Sequence, residues 1–213
     1  MQTMIFSPFF RKFTLTAHIT FSIGWLGAVA GFLVIAIAGL TSHNPQVVRS
    51  AYLIMELVGW FVIVPSSLAA LLTGVIESLG TPWGLFRYYW VSIKLFLTIA
   101  AAVILLVHMQ PISYIANIAL TTTISDTDLR GLRIQLIADA AAALLVLLVL
   151  TTISVYKPWG RTRYGLRKER ERGAVRKATT RKPWGLYVML GLIGLVILFF
   201  IVLHITGRGL HGH

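Results

Sequence analysis

The run from Phe13 to Leu40, FTLTAHITFSIGWLGAVAGFLVIAIAGL, contains no Asp, Glu, Lys or Arg. About 20 apolar residues in a helix cross a bilayer, so this run is long enough to cross with some tilt. Arg11 and Lys12 precede it and predict a cytoplasmic N-terminal end. Its costly residue is His18, about one turn inside that edge. Gly24, Gly27 and Gly31 predict a face where a second helix approaches closely. Ala36-Ile37-Ala38 imitates a signal cleavage site, but signal cores run about 7–15 residues and this run is far longer. It therefore reads as a retained helix.

The rest of the chain repeats the pattern. Of 213 residues, 57% are hydrophobic and 12% charged, too few charges to cover a soluble protein of this length. The expected fold is an all-α polytopic membrane bundle of five transmembrane helices, a four-helix core plus one, forming a single domain over 1–213. The core covers 13–156, with spans at 13–40, 51–76, 88–109 and 132–156. Pro65 predicts a kink in the second. Residues 1–12 read as an amphipathic lead at the interface. Residues 110–130 read as an external loop whose segment 112–120 lies on the membrane surface. The fifth span is 184–206.

Residues 157–183, KPWGRTRYGLRKERERGAVRKATTRKP, form a basic loop with Glu169 and Glu171 as its acids. With Arg11, Lys12 and Arg87 they predict the inner side, leaving Arg49, Arg130, Arg133 and Arg208 outside. The expected location is the bacterial inner membrane, N-terminus cytoplasmic and C-terminus external. The formal charge of +12 then serves topology and attraction to anionic lipid headgroups at 157–183. Nucleic acid is not expected, because aromatic interleaving is thin. A docking surface for an acidic protein is the other reading of this loop. Pro-Trp-Gly at 82–84, 158–160 and 183–185 reads as interfacial anchoring.

Ionisable residues within the spans fall into two layers. The inner layer holds His18 and Lys94, and the outer layer holds Glu56, His108, Asp139, Gln135 and His204, each roughly 9–14 Å from the midplane. Helical phase puts Glu56, Gly59, Ile63, Ser66, Ala70, Thr73 and Glu77 on one stripe of the second span. Lys94, Thr98, Ala101, Leu105 and His108 share a stripe on the third; Gln135, Asp139, Ala142 and Val146 share one on the fourth. Glu56, His108 and Asp139 are therefore expected to converge. They would hold a divalent metal, a proton relay or a polar ligand, or form a structural network with Arg133. His204 is either a further metal ligand or an interfacial residue. His18 and His108 differ in depth by roughly 25 Å and cannot share one metal. The partner of His18 at equal depth is Lys94 or an open ligand. No cysteine is present, which excludes disulfides, thiolate sites, Fe–S clusters and c-type haem. Copper finds little support in five Met without a helical pair.

His18, followed by Trp25 and Gly27, resembles the first helix of small bacterial membrane proteins. These include the HemJ-type protoporphyrinogen oxidases and the membrane domain of copper-resistance protein D. Trp90-Val91-Ser92-Ile93-Lys94-Leu95, with the later His108, resembles their third helix. The chain resembles most closely a family of uncharacterised bacterial integral membrane proteins near that group. The resemblance covers roughly 13–156. It implies b-type haem in a helical bundle, with His18 and His108 as candidate ligands and Lys94 as partner of a propionate or substrate carboxylate. Three functions follow: a haem protein with a redox role, a metal- or proton-handling transporter using the outer layer, and a structural subunit docking through 157–183. The sequence leaves open whether the chain is an enzyme.

Overall fold

The computed structural model describes residues 6–80, 84–121, 129–157 and 160–170. Its elements are α1 (Pro8–Thr41), α2 (Pro45–Val58), a π-helical turn (Gly59–Ile63), α3 (Val64–Gly80), α4 (Tyr89–Thr121), α5 (Arg130–Tyr156) and α6 (Arg163–Arg170). The π turn joins α2 and α3 into one rod. Among the described residues, four rods (α1, α2–α3, α4 and α5) are long and apolar enough to cross a membrane. The described residues are thus all-helical, and four apolar rods of this length are consistent with an integral membrane protein. The expected fifth span at 184–206, and the basic segment beyond Arg170, lie outside the described residues.

Local chemistry sets the rod ends. Pro8 occupies the first turn of α1, and the Ser7 hydroxyl accepts the Phe10 N–H at 3.3 Å. The lead expected at the interface is therefore continuous with α1 from Pro8. Asn44 caps α2 in the same way, accepting the Gln46 N–H at 2.9 Å ahead of Pro45. At the end of α5, Lys157 takes a left-handed conformation (φ 43°) and its N–H returns to the Ile153 carbonyl. α1 packs on α2, α3 and α5, and α4 packs on α2, α3 and α5. The rods thus form a ring of sequential neighbours, the arrangement short connections favour.

Three points bear on the expected helices. First, 112–120 is not a surface segment. α4 continues through Pro111 to Thr121 and buries Ile112, Ile115, Ala116 and Ala119 in the core. Proline inside a helix costs about 3 kcal/mol. Burying two Ile side chains recovers about 1.5–3 kcal/mol each where water is the competing solvent. With 33 residues, α4 is about 50 Å long and projects beyond a hydrocarbon core of about 30 Å.

Second, Pro65 is accommodated by the π turn. A proline ring clashes with the carbonyl four residues back, here Phe61. The preceding turn is wider, with the Val64 N–H bonded to the Gly59 carbonyl five residues back. The extra residue rotates everything upstream. Met55 and Ile63, eight apart, share the buried face, and Glu56 is turned off it to a half-exposed position.

Third, among the described residues Gly24, Gly27 and Gly31 do not form a close-packing face: a Cβ at any of them would meet no described atom within 4 Å. The buried stripe of α1 is Trp25, Val29, Phe32, Ala36 and Gly39. Close approach occurs instead at Gly39 against Ala51 and Tyr52, at Gly59 against Met109, and at Gly74 against His18.

The basic residues gather at one end. The Phe6 ring covers Gly80, bringing the start of α1 to the end of α3. The Thr162 N–H donates to the Arg87 carbonyl at 2.9 Å and its hydroxyl to the Phe86 carbonyl at 2.6 Å. Arg11, Lys12, Arg87, Lys157 and Arg161 therefore share an end. Arg49 stands at the other, donating to the Leu120 carbonyl at 3.3 Å.

Candidate functional site

The two polar layers exist as separate sites. In the inner one, His18 of α1 meets α3 and α4. Its Nδ1 lies 3.0 Å from the Ala70 carbonyl and 3.1 Å from the Thr73 hydroxyl. The Thr73 hydroxyl itself donates to the Ala69 carbonyl at 2.6 Å. Nδ1 must therefore carry the proton and donate, which leaves the Nε2 lone pair to accept from Lys94 Nζ at 3.2 Å. Lys94 is the partner at equal depth that the sequence pointed to. Glu77 lies within Coulombic reach of Lys94 and of Lys157.

The outer site is His108 of α4 against Asp139 of α5. The Ile104 carbonyl accepts from Nδ1 at 2.8 Å, one turn back on the same helix. Nε2 stands 3.1 Å from Asp139 Oδ2. The contact is at ion-pair distance, and Oδ2 is buried with no other polar partner among the described residues. A carbonyl faces one ring nitrogen and a carboxylate faces the other. Both ring nitrogens thus meet acceptors, and an imidazolium facing the carboxylate leaves the pair neutral as a whole.

This pair lies on the wall of a cleft of about 1040 Å³. Its floor is Trp25, Val29 and Phe32 of α1, with Gly59 and Ile63 of the π turn. Its sides are α4 from Ile93 to Ile112 and α5 from Leu136 to Leu147. Those 19 steps along α4 make the cleft about 28 Å long. Phe96, Ala100, Val103 and Val107 form one stripe on α4 and line it while exposed, Phe96 at 64% and Val103 at 55%. They form the lip of an opening between α4 and α5. Apart from His108 and Asp139, its lining is apolar save the Trp25 indole.

The expected triad is not assembled. His108 and Asp139 come together; Glu56 neither lines the cleft nor pairs with them, because the π turn rotates it away. Among the described residues no three His, Cys, Asp or Glu side chains are grouped to hold a metal ion. His204 lies outside the described residues. His18 and His108 stand far apart. Lys94, in contact with His18, is 14 residues or about 21 Å of rise from His108.

Haem, which the resemblance implies, would need an open axial nitrogen on His18 or His108. The surroundings of His18 do not fit it: both ring nitrogens are engaged, and Cε1 lies against the Gly74 backbone, 3.0 Å from where a Cβ would be. His108 has its Nδ1 anchored on a carbonyl and a large apolar cavity beside it, but Asp139 occupies the Nε2 direction.

A third polar group is structural, as one reading of Arg133 expected, but with Tyr52 and Gly39 rather than with Glu56, His108 and Asp139. Arg133, read as an external charge, is 2% exposed. Its Nε donates to the Tyr52 hydroxyl at 2.7 Å and its Nη2 to the Gly39 carbonyl at 2.6 Å. It ties α5 to α2 and to the last turn of α1. No family model, curated protein or solved structure matches the chain.

Proposed function

We propose that this chain is a membrane-embedded binding protein. A long, largely apolar molecule enters from the lipid phase between α4 and α5, and its polar end rests at His108 and Asp139. The observation that carries this reading is the cleft itself: apolar, about 1040 Å³, open along one side, with two polar side chains converging near one end. Ligand sites have this composition, with a few placed polar groups in an apolar wall. A proton or ion pathway is less well supported. The cleft wall between the Lys94 layer and His108 carries no ionisable side chain to relay charge. The basic end, with Arg87, Lys157 and Arg161, faces the cytoplasm in this proposal.

The natural absence of cysteine supplies the test. A single cysteine at Ala143, on the cleft wall, should react with a lipid-soluble thiol reagent and resist a charged one. A cysteine at Ile153, buried in α5, should resist both. If Ala143→Cys is as inert as Ile153→Cys, the cleft is closed to lipid and the proposal fails.

A second reading is b-type haem in the same cleft, favoured by the Ile104 carbonyl that orients His108 Nδ1. It requires Asp139 to leave Nε2. Purification with haem supplied should then give a Soret band that His108→Ala removes and His18→Ala leaves. A folded, colourless protein ends that reading.

A further inference from the structure

We infer that the ligand's polar end is an uncharged hydroxyl, so that the cleft selects long-chain alcohols and related neutral hydroxylated amphiphiles. This rests on the cleft being a binding site.

The argument starts from Asp139. Its side chain is 14% exposed and lines the cleft. Oδ2 is buried 3.1 Å from His108 Nε2 with no other polar partner, and among the described residues no donor is seen on Oδ1. A carboxyl group in an apolar wall is held at a cost unless donors reach it. The side facing the cleft is therefore short of a donor, and a ligand can supply one.

Charge narrows the donor. His108 faces Asp139 as its counter-charge, so the pair needs no further ion. A ligand ammonium would place a net cation in an apolar wall with no further anion lining it. A ligand carboxylate would stand against Asp139. A phosphate needs Lys, Arg or a row of N–H donors, and the cleft lining has no Lys or Arg. A ketone or ester accepts hydrogen bonds and leaves Asp139 unserved. A hydroxyl donates to the carboxyl oxygen and carries no charge.

Geometry sets the tail. His18 is level with Lys94, so Trp25 lies about 10 Å along the axis from that layer and His108 about 21 Å. A molecule with its hydroxyl at Asp139 and its chain along the cleft passes Trp25 about 10 Å from the hydroxyl.

The experiment uses the full chain in neutral-lipid nanodiscs, with Trp25 as the reporter and Trp25→Phe as the blank. The probes are matched in length and brominated about 10 Å from one end: an alcohol, an alkane, a fatty acid and an alkylamine. The alcohol should quench Trp25 at a roughly tenfold lower mole fraction than the alkane, the effect of one hydrogen bond. The double variant His108→Leu/Asp139→Leu should bring the alcohol to the alkane's level. Replacing both partners by apolar groups avoids a stranded charge, so this variant is expected to fold. If alcohol and alkane quench equally, or if the acid or amine is strongest, the hydroxyl inference is overturned and the cleft stands. If no probe quenches Trp25, the cleft reading itself fails, and this inference with it.

Discussion

Replacing Arg133 should loosen the whole outer end of the bundle. Its guanidinium donates to the Tyr52 hydroxyl and the Gly39 carbonyl and lies over the Tyr52 ring, 5.7 Å from the centroid. Gly39 belongs to the last turn of α1, whose carbonyls have no partner within the helix. Hydrogen bonds to charged groups are worth about 1.5–3 kcal/mol each. Polar contacts between membrane helices fall toward the low end or below it, so two bonds give about 3 kcal/mol for Arg133→Met. For a chain of this size each kcal/mol moves the melting midpoint by about 2–4 °C, hence a loss of roughly 6–12 °C. Tyr52→Phe removes one bond and should cost about half as much. Thermal unfolding followed by circular dichroism at fixed mild detergent measures both. Arg133→Met melting within about 2 °C of the parent would refute the clamp, as would Tyr52→Phe costing more than Arg133→Met.

Reporter fusions at Ser42, Gly84, Leu129 and Gly160 should alternate out, in, out, in; two successive sites on one side would break the four-rod ring. A fusion at Gly212 should read outside if 184–206 is a fifth span. Gly27→Ala meets open space and gains helix propensity, so it should be neutral or stabilising by up to about 1 kcal/mol. Gly74→Ala presses the His18 ring and should cost about 1–3 kcal/mol; equal melting of the two variants would contradict this packing.

Spans were the most legible part of the chain, because bilayer thickness imposes a length of uncharged sequence that can be counted without knowing any neighbour. The depth of each polar side chain was legible for the same reason, since rise per residue is constant along a helix. His18 level with Lys94, and His108 level with Asp139, followed from depth and phase and are the pairs the fold brings together.

What counting along a helix cannot reveal is a change of period or a distant partner. The π turn at Gly59–Ile63 adds one residue to a turn, and that alone moves Met55 inward and Glu56 away from His108 and Asp139. Pro111 looked like the end of a span. The burial of Ile115 and Ala116, on a helix that packs against α2, decided that the helix continues. Arg133 carries the same charge in sequence as a topogenic arginine, and only the meeting of Gly39, Tyr52 and α5 makes it a buried clamp. The cleft has no signature in the sequence. It is the space left where four rods close into a ring, and volume between helices is set by all of them together.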